Sequence, residues 1–210
     1  MARNEINKNS DWETRRQEIL IASAQLFAER GFDGVSMRDI AAVSGMHMST
    51  LYHYFSSKSL LYDDVCNWAF GYSSALSLAA LEGDEDIVTK LRRYVVANVR
   101  FLLEKGSAAR ILEMELLFKM SSSALEYPSV MVKPVARLAE LLVTISPPLL
   151  KTFSAEKLAC IIWDVIYGIA RYTAANIRVI NQAYEELDIE KVSNDVWVVI
   201  KEILTIESPD

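Results

Sequence analysis

SMRDIAAVSGMHMSTLYHYF, residues Ser36 to Phe55, decides the fold. Ser36 is a hydroxyl residue of the kind that caps a helix, and Ile40 and Ala41 supply inward positions for a short helix ending near Ser44. Gly45 provides the break. A second short helix fits His47 to Tyr54, with Leu51 and Phe55 inward. Two short helices joined by a turn that holds a glycine form a helix-turn-helix, and the small Ala41 lets them approach closely. In such motifs the second helix lies in the major groove with its first residues near base edges. Here that edge offers His47, Met48, Ser49 and Thr50, followed by Tyr52, His53, Tyr54 and Lys58. Hydroxyls and Lys58 suit phosphate oxygens, and the methyls of Met48 and Thr50 suit thymine.

Charge around the motif supports this reading. From Gly34 through Tyr62 the charged residues are Arg38, Asp39 and Lys58, a formal +1 inside a chain of net charge −6. No carboxylate stands between Asp39 and Asp63. An acidic total argues only mildly against contact with phosphates, because local distribution matters more than the sum.

The rest of the 210 residues reads as helix. Ile19, Ala22, Leu26 and Phe27 make one apolar stripe on a helix expected from Glu13 to Arg30, capped by Ser10 or Asp11 and stopped by Gly31. Before it, Arg3 and Lys8 fall in an expected disordered arm of the kind that can reach the minor groove, and Arg15 and Arg16 are expected on a solvated face, with an approach to DNA as the alternative. Ser56-Ser57 caps a fourth helix from Lys58 towards Leu81, with Leu61, Val65, Trp68, Tyr72 and Leu76 inward. Further helices are expected from Asp86 to about Lys105, from Ala108 to Met120, from between Pro128 and Pro134 to Ile145, from Ala155 to Asn181, and from Asp188 to Ile206. Pro147-Pro148 is a stop. The expected class is all-α with about nine helices. It comprises an N-terminal DNA-binding domain at 13–73, holding the motif at 36–55, and a second domain at 74–210.

Several chemistries are excluded. Cys66 and Cys160 are far apart and lack metal spacing, so neither a disulfide framework nor a metal site is expected. The two histidines both lie in the motif. There is no nucleophile elbow, phosphate loop or Cys/His cluster, so no enzyme, cofactor or metal is expected. The opening residues show no signal peptide, and no apolar run approaches the roughly 18 residues of a membrane span. A soluble cytoplasmic protein follows.

The residues IL-x-x-A-x-x-LFAERGF (Ile19 to Phe32), IAAVSGM and TLYHYFSSKSLL (Thr50 to Leu61) resemble the TetR family of transcriptional regulators. The resemblance covers about the first third of the chain. It implies that Arg38, near the start of the first motif helix, touches the DNA backbone or a base, and that Ser36 caps that helix. It also implies contacts to phosphates or bases from Thr50, Tyr52 and Tyr54, and a phosphate contact from Lys58. Three positions depart from the family pattern. His47 stands where Ser or Thr is common, Ser49 where Gly is frequent, and Met48 where many members carry Lys or Arg. Fewer charged contacts follow.

The helix at 155–181 is apolar nearly all round, apart from a line of Lys157, Asp164, Arg171 and Arg178, so it must be buried on more than one side. With the last helix it is expected to form a four-helix interface between two copies through Ile162, Val165, Ile166, Ile169, Val196, Val199 and Ile203. A two-fold dimer matches a palindromic operator on double-stranded DNA. The resemblance further implies a small-molecule pocket among the middle helices. Candidate lining residues are Trp68, Tyr72, Tyr94, Phe101, Met114, Phe118, Trp163 and Tyr167, with Asn98, Arg110 and Glu115 as polar anchors. Such a pocket suits a hydrophobic or amphipathic effector. The function expected is a ligand-responsive homodimeric repressor. The alternatives are a helical small-molecule carrier without DNA binding, and a constitutive activator.

Overall fold

The computed structural model describes residues 2–104, 106–121, 129–145, 147–180 and 188–206, and the side chains of 11–104, 106–116, 131–145, 147–173 and 188–206. Among the described residues there are nine α-helices, one short 3-10 turn at Pro148–Lys151 and no strand. The all-α expectation holds. The chain divides into two compact units, Met1–Phe70 with Arg110–Leu125, and Gly71–Ala109 with Glu126–Asp210.

In the first unit, α1 (Ala2–Arg30) buries Ile19, Leu20, Ser23, Ala24, Leu26 and Phe27. It begins well before Glu13, so the expected arm and the cap at Ser10 or Asp11 give way to continuous helix. Cap-type residues stop nothing when no Pro or Gly accompanies them. The backbone of Arg3 and Lys8 is helical, and their side chains lie outside the described residues. α2 (Met37–Val43) and α3 (Met48–Tyr54) follow. Phe27, Phe32 and Tyr62 form an aromatic cluster with ring centroids 5.0 to 6.2 Å apart.

α4 (Lys58–Leu81) starts on a Ser57 cap whose Oγ accepts the Leu60 N–H at 3.2 Å. The expected stripe through Trp68, Tyr72 and Leu76 is not the buried one. Burial follows Leu61, Val65, Ala69, Ser73, Ser77 and Leu81, and Tyr72 is half-exposed. A constant step of four residues drifts about 40° per step, so this line winds around the helix. Small Ala and Ser side chains let neighbouring helices come close, which the aromatic positions would prevent.

α5 (Ile87–Leu103) is capped by Asp86, whose carboxylate accepts the Thr89 N–H at 3.0 Å. Its predicted register, Leu91, Val95, Asn98 and Leu102, is buried throughout. α6 (Ser107–Ser121) leads to α7 (Ser129–Ile145). Pro134 was expected near the start of α7 but lies inside it, beyond the first turn. One backbone bond is forgone there without ending the helix. α8 (Ala155–Ile180) and α9 (Ile189–Leu204) open on Ser154 and Asp188, whose side chains accept the N–H of Lys157 at 3.2 Å and of Lys191 at 3.0 Å.

The second unit packs α5 against α8 and α9, and α7 against α8. Its core includes Leu91, Leu138, Leu142, Leu158, Ile162 and Ile200. A polar thread crosses this core. Ser77 Oγ donates to Asn98 Oδ1 at 3.1 Å, and Asn98 Nδ2 donates to the Tyr94 carbonyl at 2.9 Å. Between α4 and α5, Gly83 has φ +101, and a side chain there would collide with the Glu85 carboxylate.

Candidate nucleic-acid interface

Ser36 and Asp39 build a reciprocal capping box at the start of α2. Ser36 Oγ accepts the Asp39 N–H at 3.2 Å, and an Asp39 carboxylate oxygen accepts the Ser36 N–H at 2.8 Å. This fixes the entry to a helix of only seven residues, whose length alone could not sustain it. The hydrogen bonds from Ser36, helped by Arg30 and Arg38, hold the Asp39 carboxyl below its ordinary value. At the far end Gly45 takes φ +62, and the Met46 N–H reaches the Ala41 carbonyl at 2.9 Å. A left-handed glycine closing a helix in this way turns the chain sharply into α3. His47 is the N-cap of α3 but makes no side-chain hydrogen bond to it. The departure from Ser or Thr therefore leaves those first N–H groups without a side-chain cap.

Leu51 and Phe55 anchor α3 in the core at 0% and 3% exposure. That aims the opposite face outward. Ser36, Arg38, His47, Ser49, Thr50, Tyr52 and His53 are exposed, and Met48, Tyr54 and Lys58 are partly covered. All ten candidate DNA-binding residues come together on α2, the turn, α3 and the first residue of α4. Lys58 already has a partner: its Nζ donates to the Phe32 carbonyl at 2.9 Å and sits 4.1 Å from the Phe32 ring centroid. An ammonium has three donors, so two remain for other acceptors.

Sequence reasoning missed a brace on this motif. Trp12 stacks on Tyr54 with ring centroids 5.4 Å apart. Arg15 donates to the carbonyl of Ser44, in the turn, at 3.2 Å. Arg16 pairs with Asp64 at 2.5 Å and lies over the Phe55 ring at 4.9 Å. The two arginines are therefore not on an idle solvated face. Trp12, Arg15, Arg16 and Ile19 are spaced i, i+3, i+4 and i+7, and that periodicity was the available signal.

The candidate effector residues are divided between the two units. Trp68, Arg110, Met114 and Glu115 belong to the first unit, and Tyr72, Tyr94, Asn98, Phe101, Trp163 and Tyr167 to the second. Glu115 accepts a hydrogen bond from Tyr62 at 2.8 Å. Burial and this bond to Glu115 push the Tyr62 hydroxyl pKa up. Tyr94 and Asn98 lie in the buried polar thread, and Trp163 stacks on Tyr167 at 5.4 Å. The side chain of Phe118 lies outside the described residues. Tyr72 and Phe101 do share a groove of about 410 Å³ within the second unit, together with Leu76, Ala97 and Arg100. Among the described residues no group of His, Cys, Asp and Glu could hold a metal ion, and no helix is long and apolar enough to cross a membrane.

The interface residues also separate. Ile162, Ile166 and Val196 are covered by the chain's own helices at 0–1% exposure, so they cannot present a surface. Val165, Ile169 and Ile203 are partly covered and Val199 is exposed. The outward apolar residues of α8 are Ile161, Val165, Ile169 and Tyr172, and those of α9 are Val198 and Val199. The predicted stripes were rotated inward because Val196 and Ile162 are equally apolar, and periodicity alone cannot choose between two apolar faces.

A capped short helix, a glycine turn and an anchored second helix with a polar outer face define a helix-turn-helix protein. The model of the family described as "Bacterial regulatory proteins, tetR family" matches residues 19–65. This match places the similarity to the TetR family in the segment that holds the motif. It is 38% identical over 71 residues to the HTH-type transcriptional repressor KstR2 of Mycolicibacterium smegmatis, covering 31% of this chain and 35% of that protein. The chain thus matches about a third of that relative's length. Solved structures extend the likeness of fold. A TetR-like transcriptional regulator from Rhodococcus sp. RHA1 superimposes with TM-score 0.65 at 19% identity, over 92% of this chain and 97% of that one. AibR in complex with isovaleryl coenzyme A and operator DNA gives TM-score 0.62 at 19% identity, over 90% and 98%.

Proposed function

We propose that this chain is a ligand-responsive transcriptional regulator of the cytoplasm, a homodimer that represses from a palindromic operator and is released by a small molecule. Its DNA-binding domain is 13–73 and its effector and dimerisation domain 74–210. One observation carries the reading: the motif at 36–55 is anchored on its inner face and presents hydroxyls, Arg38 and no unpaired carboxylate outward. KstR2 is named a repressor, and AibR was solved with both an acyl thioester and its operator, which supports repression with a small-molecule input here.

The dimer is proposed through Ile161, Val165, Ile169 and Tyr172 of α8 with Val198 and Val199 of α9. Isolated apolar residues on a surface need no partner, but a helix stripe at i, i+4, i+8 and i+11 beside a second one does. The division into units falls within α4 and α6, so each of these helices contributes residues to both. A shift of either helix on ligand binding is the proposed route to the motif. A ligand that prefers the non-binding state 100-fold contributes about 2.7 kcal/mol to release.

Selection from a random DNA pool at stated salt tests the reading. An enriched palindrome is expected. No enrichment even at low salt would sink it in favour of a carrier, to be sought by native mass spectrometry for a bound small molecule. Light scattering is expected to give a dimer, and Ile169→Asp a folded monomer. A monomeric parent chain at micromolar concentration would refute the interface.

A further inference from the structure

The groove in the second unit has a chemical bias. Its volume of about 410 Å³ falls in the range of small-molecule sites. Its walls are apolar. Tyr72 is half-exposed, with its ring centroid 5.9 Å from that of Phe101, and Leu76 and Ala97 continue the surface. An aromatic ring half in solvent over an apolar wall is an incomplete contact that an apolar body would finish.

Among the described residues, the charged groups at this groove are Arg93, Arg100 and Glu104. Arg93 is committed to the protein. Its Nε donates to the Ala80 carbonyl at 2.8 Å, one terminal nitrogen pairs with Glu85 at 2.7 Å, and the other donates to the Glu82 carbonyl. Arg100 is different. Its ion pair is with Glu104, at 3.7 Å, and both side chains are more than half exposed. An exposed pair of this kind contributes little, and Arg placed four residues before Glu is the weaker order on a helix. The guanidinium fork is therefore open to an anion that can accept two parallel hydrogen bonds. An organic cation would meet the Arg100 guanidinium at the same place.

We propose that this groove binds a small amphipathic anion. Its aryl or alkyl body lies against Tyr72, Leu76, Ala97 and Phe101, and its carboxylate displaces Glu104 from Arg100. The proposal rests on the effector reading of this unit and adds the chemical class.

Titration calorimetry of the full chain with 4-phenylbutyrate, 4-phenylbutanol and 4-phenylbutylamine separates charge from apolar body. The acid is expected to bind at least about tenfold more tightly than the alcohol, with the amine weakest. Arg100→Gln should lower the acid to the level of the alcohol and leave the alcohol unchanged. Ala97→Trp should abolish binding of both. Arg100 is exposed, so the glutamine variant keeps its fold, checked by circular dichroism, and its result stands alone if the tryptophan variant does not fold. Equal binding of acid and alcohol, no acid binding at millimolar concentration, or an unchanged Arg100→Gln titration would overturn the proposal. Operator binding is read separately in the same preparation. Arg100-dependent acid binding that leaves operator affinity untouched upholds the anion site and overturns its effector role.

Discussion

Arg38→Ala should halve the salt dependence of operator binding. Arg38 is exposed near the start of α2, and Lys58 retains two donors beyond its bond to Phe32. Arg15 and Arg16 are held by Ser44 and Asp64, and the remaining contacts of the motif are hydroxyls, thioether and imidazole. With Arg38 and Lys58 neutralising one phosphate each in two subunits, about four counterions are released, and log K falls with log salt at a slope of about −3.6. From about 50 to 200 mM salt that is roughly a 150-fold loss of affinity. Without Arg38 about two remain, the slope is about −1.8 and the loss roughly 12-fold. Fluorescence anisotropy of a labelled duplex carrying the selected palindrome, across a KCl series at fixed pH, measures both slopes. An unchanged slope in the variant would refute the role of Arg38. A parent slope steeper than about −7 would show that Arg15 and Arg16 leave their partners for DNA.

Three other perturbations probe the supports of the site. Tyr62→Phe removes the donor to Glu115 and should destabilise the protein by about 1.5–3 kcal/mol in urea unfolding; a cost near zero would mean that the bond contributes nothing net. Trp12→Ala should weaken operator binding severalfold through loss of a stack of about 0.5–1.5 kcal/mol per subunit, with helicity retained and partial rescue by Trp12→Phe. Unchanged operator binding would make the brace irrelevant to recognition. Acid should release the helix caps. Hydrogen bonds from Ser36 and Thr89 keep the Asp39 and Asp86 carboxyls below their ordinary 3.8, so their stabilisation is full above that value and is lost as pH falls through the lower folded values. Ser36→Ala should shift the acid transition upward, and an identical transition would exclude the capping box as its cause.

The motif was legible because its signals are local. Ser36 and Asp39 are three residues apart, Gly45 sits where the chain must turn left-handed, and Leu51 and Phe55 share one face by spacing. The effector residues were less legible. An aromatic at helical spacing reads the same whether it faces a groove, like Tyr72, or the interior, like Tyr94. Glu115 looked like a polar anchor, but its partner Tyr62 is 53 positions away and nothing local announces the pair. The face of α8 was ambiguous for the opposite reason, since Ile161, Ile162, Val165 and Ile166 are interchangeable by type. Only packing decides which of them the chain keeps for itself.

Arg93 has a consequence for how the groove would behave in time. By holding the carbonyls of Ala80 and Glu82 and the carboxylate of Glu85, it locks the corner between α4 and α5 before anything arrives. A molecule entering beside it meets a wall already ordered, and association carries little cost of arranging protein side chains. Related molecules should then arrive at similar rates and differ in how long they stay, so that residence time, governed by Arg100 and the aromatic wall, sets the duration of the response.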